Sequence, residues 1–132
     1  SASASSQYSS SYSASCAIDR IVGQWNIGEW AANGSTDKKP WLKLLWNTPQ
    51  TINKIVIYGR PNKYDSIQNA RIILSSGYSA YIGEIPAGGA PKIIYLSSPQ
   101  QITWLKFKIT ETSALNPGLT EIEVYNESES EK

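Results

Sequence analysis

A guanidinium and a carboxylate bracket the stretch Arg60-Pro61-Asn62-Lys63-Tyr64-Asp65. Pro61 fixes a backbone dihedral between them, so a planar donor fork and a two-oxygen acceptor are expected at nearly constant separation, a pairing that suits adjacent hydroxyl groups. Asn62 adds one donor and one acceptor. The same residues also admit a structural role, with Arg60 and Asp65 pairing to each other and Asn62 capping the turn. Reactive chemistry is harder to find. With no histidine, the Ser-His-Asp and Cys-His engines and the commonest zinc ligand are missing. With one cysteine there is no Cys-x-x-Cys site and no intrachain disulfide. Glu29 beside Trp30 reads as a solvated neighbour of the ring. Glu121 and Glu123 are expected to divide between the two sides of their strand, which disfavours an acid–base dyad.

The elements that must position these groups are strands. In Thr103–Thr110, Trp104, Lys106 and Lys108 alternate with Leu105, Phe107 and Ile109, the two-residue period of a strand with one face buried. Similar runs occur at Trp41–Trp46, Ile52–Tyr58, Ala70–Leu74, Lys92–Leu96 and Glu121–Tyr125. Turn residues stand between them at Asn47-Thr48-Pro49, Gly59–Asn62, Ser76-Gly77, Pro86–Pro91, Ser98-Pro99 and Asn116-Pro117-Gly118. Many short strands with regular turns and no amphipathic helix of three turns predict an all-β sandwich or jelly roll.

At 132 residues the chain is one domain's length and can bury a sizeable core without disulfides or metals. Its net charge of +1 gives no electrostatic reason to expect nucleic acid, and no apolar run of about 18 residues suggests a membrane span. Five tryptophans and eight tyrosines against one phenylalanine favour aromatics with a polar tip, which suit half-wet surfaces, sugar-binding ones included, as well as ordinary strands. Trp30, Trp41 and Trp104 are expected in the core, and Cys16 as a small buried hydrophobe. Glu127–Lys132 carries no apolar residue and is expected to form a frayed tail or a lead into another module, leaving 1–126 as the folded domain.

The segment Tyr12-Ser13-Ala14-Ser15-Cys16-Ala17-Ile18-Asp19 resembles the opening signature of discoidin-like, or coagulation factor V/VIII C-type, domains, which share the galactose-binding-like fold of many carbohydrate-binding modules. Trp30, Trp41-Leu42-Lys43-Leu44, Thr51–Tyr58, Trp104-Leu105-Lys106-Phe107 and Glu121-Ile122-Glu123-Val124-Tyr125 match later pieces of that pattern in order. Two departures stand out: Cys16 replaces a usual asparagine, and Arg20 a usual glycine, followed by a longer loop. Gly59–Ile67 is similar to a stretch found in a bacterial and fungal subgroup.

The resemblance implies a single jelly-roll β-sandwich whose loops at one rim, here Ser9–Ser15, Gly23–Gly34, Arg60–Asp65 and Thr112–Thr120, hold a ligand. It makes the serine-rich opening a first strand and loop. Expected contacts to a carbohydrate are Trp25, Arg60, Asn62, Tyr64, Asp65 and Asn116, with Trp25 and Tyr64 supplying flat faces for a sugar ring. It implies a structural calcium held by Asp19 and Glu121 with backbone carbonyls. The function expected is that of a non-catalytic module, tethering a secreted or surface multidomain parent to glycans. Recognition of a protein or a lipid surface is the alternative, although the rim shows little of the basic clustering a membrane surface would require.

Overall fold

The computed structural model describes residues 1–19, 28–61, 66–86 and 88–127. Seven strands follow in order: β1 (Ala2–Ala4), β2 (Trp30–Ala31), β3 (Trp41–Gly59), β4 (Ile67–Leu74), β5 (Ser79–Tyr81), β6 (Pro91–Thr112) and β7 (Gly118–Tyr125). All pairings are antiparallel, in the order β2-β7-β3-β6-β4-β5 with β1 on β3. The serine-rich opening is thus a strand, and two short 3-10 helices, Ser10–Tyr12 and Ala14–Ile18, follow it.

The two long strands make the sandwich. The first part of β3, Trp41–Leu45, pairs with Trp104–Lys108 of β6 and with β1, while its second part pairs with Pro91–Ile102 of β6 and with β7. Register shifts fall between Leu45 and Gln50 and between Ile52 and Lys54. The turns expected at Asn47–Pro49 and Ser98-Pro99 are therefore corrected: both segments lie inside strands that pass from one layer to the other. Pro49 and Pro99 are exposed, as residues without an N–H to give the ladder must be.

Between the layers, Leu42, Leu44, Leu105, Phe107 and Ile72 meet Ile55, Ile57 and Ile122 in one core. Each such side chain contributes about 1.5–3 kcal/mol by leaving water. Trp30 is fully buried, as expected, and its Nε1 donates to the Ser6 carbonyl at 3.1 Å. Trp41 and Trp104 are not core. Inward positions on their strands belong to Leu42, Leu44, Leu105 and Phe107, so strand parity turns both indoles outward to half exposure. Cys16 is also half exposed. In its 3-10 helix the eclipsed pair Ala14 and Ala17 faces the core and turns the thiol aside, toward the Ser13 hydroxyl 3.6 Å away.

The domain edge expected at Asn126 needs one change. Glu127 is docked on β3: its N–H donates to Asn53 Oδ1 at 2.9 Å, its carbonyl accepts from Asn53 Nδ2 at 2.7 Å, and its carboxylate meets Lys54 Nζ at 2.6 Å. Residues 128–132 lie outside the described set.

Candidate functional site

Arg60 follows the last residue of β3 at one end of the sandwich, and there it ties the loops together. Its Nε donates to Glu29 Oε1 at 2.8 Å, its Nη1 donates to the Asn116 carbonyl at 2.8 Å, and its guanidinium carbon lies 5.4 Å from the centre of the Tyr12 ring. Tyr12 comes from the 3-10 helix Ser10–Tyr12, Glu29 from the segment before β2 and Asn116 from the loop between β6 and β7. Three segments distant in sequence thus converge on a side chain carried by a fourth.

The pair is deeply buried, with side-chain exposures of 7% for Arg60 and 0% for Glu29. Glu29 is therefore not a solvated neighbour of Trp30. Beginning β2 at the core, Trp30 carries the preceding residue into the interior, where a carboxylate requires a cation or several donors. Arg60 in turn is not paired merely within its own loop.

Close backbone contact makes the convergence rigid. A Cβ on Gly34 would overlap the Leu115 carbonyl, and one on Gly118 would overlap the Trp30 carbonyl. Ala32 N donates to the Pro117 carbonyl at 2.8 Å, and Thr120 Oγ1 donates to the Gly59 carbonyl at 2.7 Å. The Asn116 amide, oriented by its surroundings, donates to the carbonyls of Leu115 and Ala32 at 3.1 and 3.2 Å. Beside this junction lies an open cleft of about 240 Å³ lined by Asp37, Lys38, Thr112, Ser113, Leu115 and Pro117, among others. Asp37 Oδ2 accepts from the hydroxyls of Ser5 and Ser6 at 2.5 and 2.7 Å, and Lys38 Nζ donates to the Gly34 carbonyl at 2.7 Å.

Of the residues expected at the rim, Arg60 and Asn116 are brought together; Trp25, Asn62, Tyr64 and Asp65 lie outside the described residues. Arg60 differs from expectation in that two of its nitrogens are spent on the protein itself, so it positions the loops. Sequence reasoning missed Glu29 as its partner and also missed Tyr8 and Tyr12, whose rings meet edge to face at 5.7 Å and 75°. Tyr8 is 56% exposed and forms a flat wall at the same loop. The signal was two tyrosines four apart in an otherwise small and polar stretch.

Asp19 is exposed directly after the Ala14–Ile18 helix, which packs against β7, where Glu121 is buried. Among the described residues no three His, Cys, Asp or Glu side chains gather as a metal cluster. Glu121 and Glu123 stand on the same side of β7, contrary to expectation, because residues two apart share a strand face; they register with Tyr58 and Val56. Partial burial first, then the neighbouring Glu123 carboxylate, holds the Tyr125 phenol pKa above its ordinary 10.0.

The antiparallel sandwich with its loops drawn together at one end has the galactose-binding-like fold of F5/8 type C domains and family 32 carbohydrate-binding modules. A family 32 module of Clostridium perfringens NanJ, solved with galactose, superposes with a TM-score of 0.77 at 21% identity over 96% of this chain and 93% of that one. Chitosan-binding module 1 of a chitosanase/glucanase from Paenibacillus sp. IK-5 gives 0.74 at 19% identity, over 96% and 94%. The F5/8 type C domain of a Bacteroides fragilis protein gives 0.70 at 16%, over 95% and 89%. By sequence the chain belongs to the family called Domain of unknown function (DUF7402), whose model matches residues 1–125. No curated protein matches it significantly.

Proposed function

We propose that this chain is a non-catalytic carbohydrate-binding module of a secreted or surface multidomain protein, taking glycans at the rim where Arg60 gathers the loops. The observation that carries this reading is the buried Arg60–Glu29 pair, which fixes four rim segments in one place on a scaffold shared with modules solved on sugars. A ligand surface prepared in advance lowers the ordering cost of binding a polar, flexible ligand. Among the described residues the rim brings together carbonyls, hydroxyls, amides and flat tyrosine faces, a set suited to holding a ligand and without an evident nucleophile–base pair. Trp25, Asn62, Tyr64 and Asp65 are the side chains assigned to the sugar, with Tyr8 as a further wall; Asn116 and Arg60 hold the loops in place. No helix among the described residues is long and apolar enough to cross a membrane.

A structural calcium belongs to the same reading. Asp19 and Glu121 supply hard oxygens from two elements packed on each other, the donor chemistry calcium takes, and backbone carbonyls would complete its shell. Calorimetric titration against a broad glycan set tests the function. At least one sugar is expected to bind with Kd of about 10 µM to 1 mM, since a shallow polar site yields about 4–7 kcal/mol. Tyr64→Ala and Asp65→Ala should each weaken that binding with the melting curve unchanged. Flat titrations together with tight binding to a protein or to anionic vesicles would replace this reading with adhesion.

A further inference from the structure

Away from the rim, the outward face of the layer built from β1, the start of β3, the end of β6, β4 and β5 carries an unusual row of charges. Register places Trp41, Lys108, Arg71 and Tyr81 side by side across four strands, and Lys43, Lys106, Ile73 and Ser79 side by side in the next row. Leu45 and Trp104 follow in the third. Strands lie about 4.8 Å apart and same-face residues about 6.8 Å apart, so the patch measures roughly 14 Å in each direction.

Lys43 stands directly opposite Lys106, and Arg71 directly opposite Lys108. Like charges placed opposite each other destabilise a sheet. Here they turn onto aromatic rings, diagonally for the two lysines and directly across for the arginine: Lys43 Nζ lies 5.0 Å from the centre of the Trp104 ring, Lys106 Nζ 4.8 Å from that of Trp41, and the Arg71 guanidinium 5.7 Å from that of its register partner Tyr81. Arg71 Nη2 also donates to Ser79 Oγ at 2.9 Å. Among the described residues no carboxylate forms an ion pair with any of the four cations. Glu111, the carboxylate of β6, lies beyond a register shift, opposite Asn69.

We propose that this face is a second binding surface, for an anionic polysaccharide with carboxylate groups. Among the described residues no carboxylate pairs with the four cations, which leaves them open to an anion from outside, and the flanking Trp41, Trp104 and Tyr81 give apolar, polar-edged surface on which the C–H faces of sugar rings rest. The face is a half-exposed surface spanning four paired strands, which fits an extended chain lying along it. Charge elsewhere limits the width of the partner: the remaining eight basic residues are outnumbered by the eleven acidic ones. A narrow polyanion stays within the patch, whereas a duplex nucleic acid reaches beyond it into a repelling field. The site is independent of the rim, so either can fail without the other.

Binding of polygalacturonate to the full chain, measured by calorimetry at 50 and 300 mM NaCl, tests the proposal. Expected are a measurable Kd at low salt, at least tenfold weaker binding at high salt, and no binding of neutral galactan to this face. Lys43→Gln/Lys106→Gln should cost at least tenfold, Lys43→Arg/Lys106→Arg should retain binding, and Trp104→Ala should weaken it. No binding at low salt, equal affinity of the Gln variant with its melting point intact, or tighter binding of duplex DNA or anionic vesicles than of polygalacturonate would each overturn the proposal. If the Gln variant fails to fold, Lys108→Gln, which holds no ring contact, is the substitute and should cost several-fold; unchanged affinity there counts against the proposal equally.

Discussion

Replacing Arg60 by alanine takes from the Glu29 carboxylate, which has no exposed surface, the guanidinium that meets it at 2.8 Å. Removing one partner of a buried ion pair costs about 3–5 kcal/mol, because the remaining charge stays desolvated. A chain of this size unfolds with an entropy near 2.1 cal/mol/K per residue, so the melting temperature should fall by about 11–18 °C. The Asn116 carbonyl also loses its donor, and the Tyr12 ring loses its cation, which add to the effect and loosen the loops that carry the proposed sugar site. Neutralising the buried carboxylate distinguishes this account from a general loss of packing: Arg60→Ala/Glu29→Gln should melt several degrees above Arg60→Ala alone. Calorimetric or fluorescence melts of wild type, both single variants and the double variant form a complete cycle. Should Arg60→Ala melt within about 2 °C of wild type, or the double variant melt below it, the reasoning from buried charge fails.

Gly118→Ala places a Cβ against the Trp30 carbonyl and should part β2 from β7, costing about 1–3 kcal/mol or roughly 4–11 °C in a thermal melt. The hydrogen bond from Lys54 to Glu127 holds the Lys54 pKa above its ordinary 10.5, so its contribution to stability is complete below pH 10.5 and is lost as pH rises through the folded value. The raised phenol of Tyr125 acts in the same direction above pH 10; the melting temperature should fall on the alkaline side, and Glu127→Gln should return the Lys54 midpoint, read by NMR, toward 10.5. Calcium at about a hundredfold excess over its Kd should stabilise by about 2.7 kcal/mol, some 10 °C, reversed by chelator. Asp19→Ala should remove most of that response and the exposed Glu84→Ala none of it; superimposable melts with calcium and with chelator would end the calcium proposal.

Strand content, the two-residue period and the ordered motifs from Tyr12 to Tyr125 were legible in the sequence because they depend on neighbours one or two positions apart. The alternation of Trp104, Lys106 and Lys108 with Leu105, Phe107 and Ile109 even fixed which side each residue takes. Placing Trp104 in the core set the greasiness of one side chain above that parity, and the pleat decides such conflicts, since turning one residue inward would turn its neighbours outward. Pairing across the chain was beyond local reading. Glu29 and Arg60 lie 31 positions apart, and nothing in either neighbourhood shows that β2 and the end of β3 meet. The two long strands were likewise divided at Pro49 and Pro99, which read as turns until β3 and β6 are seen to bend together between layers. The cationic face has the same origin. A net charge of +1 reports a sum, and only the register of β3, β6, β4 and β5 gathers four of the twelve basic residues on one surface. Local periodicity determined what each segment is, and tertiary register determined which charges and rings meet, because electrostatic and packing energies depend on distances in space that sequence separation does not encode.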